Sequence, residues 1–342
     1  MRPERITLKD IAKVCGCSAN TVSRALRGDE RISKAVRAFV RETADRMGYI
    51  PNTTASSLRS GHSRVIAVIV NDLHNQHYCD LINRMDRELR SRNYTLMILC
   101  MQLEDELAEK LIHTAISLSV DGILYFPSVG QRHYIEYMIV NKMPFVLLDR
   151  RVSDLEADTV RCDDVQGGYL AGRHLAELGH RKFLFLSGVD LSSSQIDRLS
   201  GFMAAVRENK IPEENVRVIP GVRVEEALLN NSLSDLLFPG DHTAVVCFRD
   251  EVAYPVMNAL REHGVSIPDD VSVISFDNLC AEDPSRPFVT SIYSTDRNIA
   301  ALGVEMLLER IQDPSIPPRN MILPVRIYDH GTTGPAQERA SG

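Results

Sequence analysis

The chain has 342 residues, with 39 Lys and Arg against 46 Asp and Glu for a formal net charge of −7, 44% hydrophobic residues, seven Cys and no Trp. That length allows more than one core. The absence of any run of about 20 apolar residues argues against a membrane-spanning helix, and the odd, scattered cysteines argue against a disulfide framework.

In chain order, Thr7 is a helix-capping residue and Asp10, three positions on, is placed to reach back as the acid of a capping box. From about Leu8, the apolar residues Leu8, Ile11, Ala12 and Cys15 recur at three- and four-residue spacing, and Gly16 supplies the turn. Ser18 opens a second helix that buries Val22, Ala25 and Leu26. Asn20 and Arg24, four apart, point together off its other side. Two short helices across a tight turn make a reader of the DNA major groove: an Asn amide can bond adenine twice, an Arg fork can do the same to guanine, and the Ala19 methyl suits a thymine methyl. Ser18, Thr21 and Ser23 complete that face. A generic helical hairpin with a solvated polar side would look similar, and charge separates the two readings. Residues 1–64 hold 13 Lys and Arg against 6 Asp and Glu, a charge of +7, and leave −14 on the other 278 residues. A basic head on an acidic body fits a module that neutralises phosphates and a body that does not touch DNA. A third helix, from about Ser33 to Met47, is predicted to bury Val36, Phe39, Val40, Ala44 and Met47 and to expose Lys34, Arg37 and Arg41. It completes a head over residues 1–50.

Pro51 bars helix before it, and Asn52 offers a cap for a short helix ending near Ser60. So short a helix is marginal alone and is expected to fold only against DNA or the matching helix of a second subunit. The three-helix head with Tyr49, Pro51, Asn52, Ala55 and Leu58 resembles the lactose-repressor (LacI/GalR) family of bacterial transcription regulators. The resemblance implies that the hinge, residues 51–61, enters the minor groove through Asn52, Ala55 and Leu58, with Leu58 wedged between base pairs. Ser56 departs from the pattern, because many relatives carry Arg there.

Beyond Arg64, apolar runs at Val65–Val70, Leu96–Met101, Gly122–Phe126, Phe145–Leu148, Phe183–Leu186, Ala244–Phe248 and Val271–Phe276 alternate with helical stretches, the signature of doubly wound parallel sheets. The length implies two lobes. The resemblance continues through Asn71-Asp-Leu-His-Asn, Leu147-Leu-Asp-Arg, the segment from Asp163 to Arg181, Arg198-Leu-Ser-Gly-Phe, Pro268 to Asp277, and Pro287-Phe-Val-Thr-Ser-Ile. It implies a periplasmic-binding-protein-like body of two α/β lobes with three crossings. Lobe one is expected at 62–161 plus 291–321, lobe two at 162–290 plus 322–330, and a tail at 331–342.

Open parallel sheets bind ligands beyond the carboxyl ends of their strands, and two facing lobes put that crevice between them. Tyr125, Asp149, Arg249, Asp250 and Asp277 all end or follow apolar runs. His77 and Tyr78 begin the helix after the first strand, where the positive helix end faces the crevice. The resemblance implies an effector-gripping role for Arg198, and Arg161 falls at the crossing into lobe two. Sugar-responsive relatives usually carry Asn-Pro-Phe where this chain has Asn75-Gln-His-Tyr, and Asn-Asp where it has Arg249-Asp250. If Arg161, Arg198 and Arg249 converge with His77, clustered guanidinium groups would favour a carboxylate or phosphate. The expected effector is therefore a sugar or an anionic sugar derivative.

No spacing marks a nucleophile with its base and oxyanion hole, and no Gly-rich phosphate loop follows a strand, so no enzyme, cofactor or metal is expected. Cys15 and Cys17 lack a second ligand pair and read as core thiols. Without an apolar signal core the chain is expected to be soluble and cytoplasmic. The implied mechanism is a homodimer on two-fold-related double-stranded operator DNA, with lobe movement joining or separating the hinge helices. The short tail lacks a heptad for a tetrameric coiled coil. A solute-binding protein without a DNA role would share the body but lack the head.

Overall fold

The computed structural model describes residues 6–50, 61–102, 107–128, 130–152, 154–188, 192–220, 237, 241–281, 283–294 and 299–337. The chain divides into two compact units, Met1–Ser63 and Arg64–Gly342.

In the first unit, α1 (Leu8–Cys15), α2 (Ala19–Leu26) and α3 (Lys34–Arg46) pack around Ile11, Ala12, Val22, Ala25, Val40 and Ala44. The Asp10 carboxylate accepts from the Thr7 N–H at 2.9 Å and from the Thr7 hydroxyl at 2.6 Å, which closes the start of α1 and holds the acid below its usual range. Gly16, at φ 63, makes the left-handed turn that glycine adopts without strain. The Ser18 hydroxyl accepts from the Thr21 N–H at 3.0 Å and starts α2. The third helix departs from expectation. Val36 and Phe39 are 39% and 49% exposed, while Val40, Thr43 and Ala44 form its buried stripe. Two eight-residue helices cover only that stripe, and Phe39 stands about 100° round the helix from Val40. Arg37, expected in solvent, is half-buried and donates to the Gly28 carbonyl at 2.8 Å. The hinge residues Asn52, Ala55 and Leu58 lie outside the described residues.

The second unit holds two sheets. The first contains β1 (Val65–Val70), β2 (Thr95–Cys100), β3 (Gly122–Tyr125), β4 (Phe145–Leu148), β5 (Thr159–Cys162) and β11 (Asn320–Leu323) in the order β11-β5-β4-β3-β1-β2, all parallel. Around it lie α4 (Gln76–Ser91), α5 (Leu107–Ser117), α6 (Arg132–Val140) and α10 (Ile299–Gln312). Val68, Leu124, Leu148 and Val160 face α4 and α10, and Ile69, Ile123, Tyr125 and Leu147 face α5 and α6. Burial on both faces explains why β1, β3 and β4 read as unbroken apolar runs.

The second sheet contains β6 (Phe183–Leu186), β7 (Val216–Ile219), β8 (Ala244–Cys247), β9 (Ser272–Phe276), β10 (Thr290–Ser294) and β12 (Val325–Tyr328) in the order β12-β10-β9-β8-β6-β7. Only β12 runs antiparallel to its neighbour. Its helices include α7 (Asp164–Glu177), α8 (Ser193–Glu208) and α9 (Asp250–Glu262). The chain passes between lobes after β5, after β10 and between β11 and β12. Thr290 to Ile292 pair with β9 and Ser291 to Ser294 with β12, so the strand stays in the second sheet as far as Ser294 rather than leaving it at 290, and β11 keeps residues to Leu323 in the first sheet. Strand pairing, which residue type does not reveal, sets these limits.

Helices α7 and α8 approach at backbone distance. A Cβ on Gly168 would stand 1.8 Å from the Arg198 carbonyl oxygen, and one on Gly201 would stand 1.9 Å from that of Val165. Only glycine permits this crossing, and it carries Arg198 to the start of α7. Among the described residues, no helix is long and apolar enough to cross a membrane.

Candidate DNA-reading face and interlobe site

On α2, Ser18 and Asn20 are exposed, and the Ser18 and Thr21 hydroxyls lie 2.9 Å apart. Ala19 is half-buried against the head's core, and Ser23, also half-buried, accepts from Arg27 Nε through its carbonyl at 3.2 Å. Arg24 donates through Nε to Asp29 at 2.9 Å. Asp29 also accepts from the N–H, Nε and Nη2 of Arg31 at 3.1, 3.0 and 2.8 Å. Arg31 first, and then Arg24, hold the Asp29 carboxyl well below the usual carboxylate range.

In the body, α4 and the ends of β4 and β9 bring His77, Asp149 and Asp277 toward α7 and α8. Asn75 caps α4, its side-chain oxygen accepting from the Tyr78 N–H at 3.4 Å, so His77 lies in the first turn. His77 Nε2 donates to Asp149 Oδ1 at 3.4 Å, and its ring meets the edge of Tyr293 at 5.5 Å. Asp149 and Asp277 turn away from their strands at φ 65 and 97, backbone that is uncommon outside glycine. Burial disfavours the His77 cation, but Asp149 and Asp277 overcome it and lift the pKa to about 9. Burial pushes Asp149 up as well, yet His77, Arg198 and Arg150 bring it to about 2.

Arg198 is bound on every side. Its Nε donates to Asp164 at 2.8 Å, Nη1 to the Phe248 carbonyl at 2.6 Å and Nη2 to Asp277 at 3.4 Å, and the guanidinium lies 4.5 Å from the Phe276 ring centre. Asp164, Asp277 and Asp149 together hold it protonated against the cost of burial. Arg198 is the cation that favours the Asp164 carboxylate, and burial outweighs it. Burial, with Asp149 nearby, therefore raises Asp164 to about 7 despite Arg198.

Other expected residues take different places. Tyr125 faces the α5 and α6 side and donates to Gln131. Tyr78 joins the α4 core and packs its ring, tilted, against Phe126 with centres 4.6 Å apart. Asp250, fully buried, accepts from Ser275, Ser291 and the Leu279 N–H at 2.7, 2.8 and 2.7 Å, binding α9 to β9 and β10. Burial and Asp277 raise it to about 7. Arg249 pairs with Glu251 at 3.3 Å. Val160 and Cys162 face α4 and α10, so strand alternation turns Arg161 to the opposite side of β5, where it donates to the Cys162 carbonyl at 3.4 Å. The three arginines thus keep different company. Arg161 is turned away, Arg249 is paired, and Arg198 stands among carboxylates.

Among the described residues, direct links between the lobes include Gln76 N–H to Glu251 at 2.8 Å, Arg286 to Asp80 at 2.8 Å, the Arg151 guanidinium to Asp197 at 2.8 Å and the Arg151 N–H to the Ser193 hydroxyl at 3.0 Å. Asp164, Asp197, Glu251, Asp80, Arg151 and Arg286 belong to no motif that sets them apart as site residues in the sequence. Asp164 alone had a signal, since a buried arginine requires a nearby acid and Asp163 beside it is spent as the half-buried N-cap.

The family model for bacterial regulatory proteins of the lacI family matches residues 7–52, and that for a periplasmic binding protein-like domain matches residues 173–333. The HTH-type transcriptional repressor PurR of Vibrio atlanticus (strain LGP32) is 30% identical over 311 residues, which cover 90% of this chain and 92% of that protein. The chain belongs to the LacI family. As a LacI-family regulator it binds DNA and a small-molecule effector and is not an enzyme. Solved structures share its fold, among them the following two. The lac repressor dimer bound to operator and the anti-inducer ONPF has a TM-score of 0.84 at 24% identity, covering 97% of this chain and 100% of that one. A LacI-family regulator from Enterococcus faecium with bound ribose has a TM-score of 0.71 at 28% identity, covering 80% of this chain and 100% of that one.

Proposed function

We propose that this LacI-family regulator is a cytoplasmic repressor of genes for carbohydrate or related catabolism. It binds a pseudo-palindromic operator as a homodimer. Ser18, Asn20, Thr21 and Arg24 meet the major groove, with Ala19 and Ser23 shaping that face, and Asn52, Ala55 and Leu58 meet the minor groove. The exposed Asn20 amide and the open terminal nitrogens of Arg24, on one face of a capped helix, carry this reading. The dimer and operator named for the lac repressor structure support it.

The effector sits between the lobes against His77, Asp149, Arg198 and Asp277. Asp149, Asp164 and Asp277 surround a single deeply engaged guanidinium, so the site favours a ligand that donates O–H groups over one that brings another anion. A neutral polyol is the better match, and the ribose held by the Enterococcus faecium relative is of that class. Calorimetry on the full chain tests this with neutral sugars against sugar acids and sugar phosphates. Neutral sugars should bind and weaken or strengthen operator binding, whereas binding confined to the anionic sugars would overturn the polyol reading. Removal of residues 1–61 should abolish operator binding and keep effector binding. A truncated chain that still bound the operator would favour a DNA-binding surface on the body.

A further inference from the structure

We infer that Asp29, outside the recognition helix, is a positioning residue for base reading: it fixes the Arg24 guanidinium from behind so that the terminal nitrogens present a set fork to a guanine. The inference rests on the reading of Arg24 as a base contact. Asp29 is itself held by the backbone, its N–H donating to the Arg24 carbonyl at 3.1 Å and its carbonyl accepting from Ile32 at 3.0 Å. Its carboxylate takes Arg24 Nε at 2.9 Å, and among the described residues neither terminal nitrogen of Arg24 has a hydrogen-bond partner. A guanine is read by a fork of two N–H groups, so a bond to Nε leaves a reading edge free while removing rotation that an unrestrained arginine would lose on binding. Arg31 grips the same carboxylate from the solvent side, with 78% of its side chain exposed. The aspartate is thereby neutralised and its charge opposes the DNA less.

The sign of the effect separates positioning from plain electrostatics. A carboxylate near phosphates repels them, so its removal should tighten binding to every duplex if charge alone mattered. The test uses the full chain and the duplex that the wild type selects from a randomised library. Asp29→Ala is expected to weaken binding to that duplex about tenfold, relax discrimination at the guanine that Arg24→Ala also relaxes, and leave affinity for unrelated DNA equal or higher. Asp29→Asn, which keeps an acceptor for Nε, should fall between the two. In an Arg24→Ala background, Asp29→Ala should add no further loss of discrimination. Tighter binding of Asp29→Ala to the selected duplex with unchanged discrimination, or an equal loss without Arg24, would overturn the inference. If Arg24→Ala itself leaves discrimination intact, the reading of Arg24 fails instead, so the two failures are distinguishable. Thermal unfolding of the head in each variant excludes loss of fold as the cause.

Discussion

Arg24 in the head and Arg198 in the body both donate through Nε to an aspartate, at 2.9 and 2.8 Å, yet they sit in different media. Arg24 keeps 29% of its side chain in solvent and leaves its terminal nitrogens open, whereas Arg198 keeps 10% and fills every direction with a carboxylate, a carbonyl or a ring. A part-buried pair at the surface keeps water within reach and is cheaper to rearrange than one sealed inside, so Arg24 with Asp29 can guide a contact with DNA at modest cost in stability. In the interior each charge depends on its neighbours, and the same pair becomes a strut between α7, α8 and β9.

The sharpest way to break this contrast is Arg198→Leu. It leaves Asp164 and Asp277 buried without their counter-charge and is expected to cost about 3–5 kcal/mol, read from denaturant unfolding of the body. A loss below about 1 kcal/mol would mean that the cluster is solvated.

Next comes pH. The folded pKa of His77, about 9, lies above the ordinary 6.5, so its contribution is complete below 6.5 and disappears as pH rises through 9, a change on the order of 3 kcal/mol. Asp164, raised to about 7, acts in the same direction over a lower range, its retained proton leaving as pH climbs from about 4 to 7. Thermal unfolding between pH 5 and 10 should show a body most stable on the acid side, with the limb from 6.5 to 9 flattened in His77→Gln. A wild-type curve already flat over that limb would count against the buried imidazolium.

In the head the effects shrink. Ser18→Ala removes the cap of α2 and should lower head stability by about 1 kcal/mol, measured by its unfolding transition. Smallest of all, Arg31→Ala should leave the head's melting temperature within error of wild type, because its pair with Asp29 is solvent-exposed. A clear drop would make that pair structural and narrow the contrast with Arg198.

Much of the fold was legible because its signals are local. Thr7 with Asp10, Gly16 and Ser18 satisfy or turn the backbone within a few residues, and each does so as its sequence position suggests. The apolar runs likewise mark β1–β4, β6, β8 and β9, while β5, β7, β10, β11 and β12 carry no such run. The candidate site was legible only in outline. Asp149 and Asp277 turn off strand ends beside Arg198, but Tyr125, chosen by the same rule, faces the α5 and α6 side, and Arg161, chosen for its place at the crossing into lobe two, lies on the face of β5 opposite α4 and α10. A parallel strand buried on both faces has no polar alternation to tell which way its last residue points. Asp164 went unnoticed beside Asp163 because two adjacent acids differ only in helix phase, and phase follows from where the first turn is capped.

By itself, then, the sequence determined a basic helix-turn-helix head ahead of an acidic two-lobed α/β body, since charge partition, caps and apolar period act over short distances along the chain. Only the tertiary structure decided which charges share a site. Asp164 and Arg198 are 34 positions apart and meet because two helices cross on glycines, and Asp277 joins them from a strand 79 positions beyond Arg198. Pairings of that range depend on helix crossing and strand register, which arise only when the elements pack.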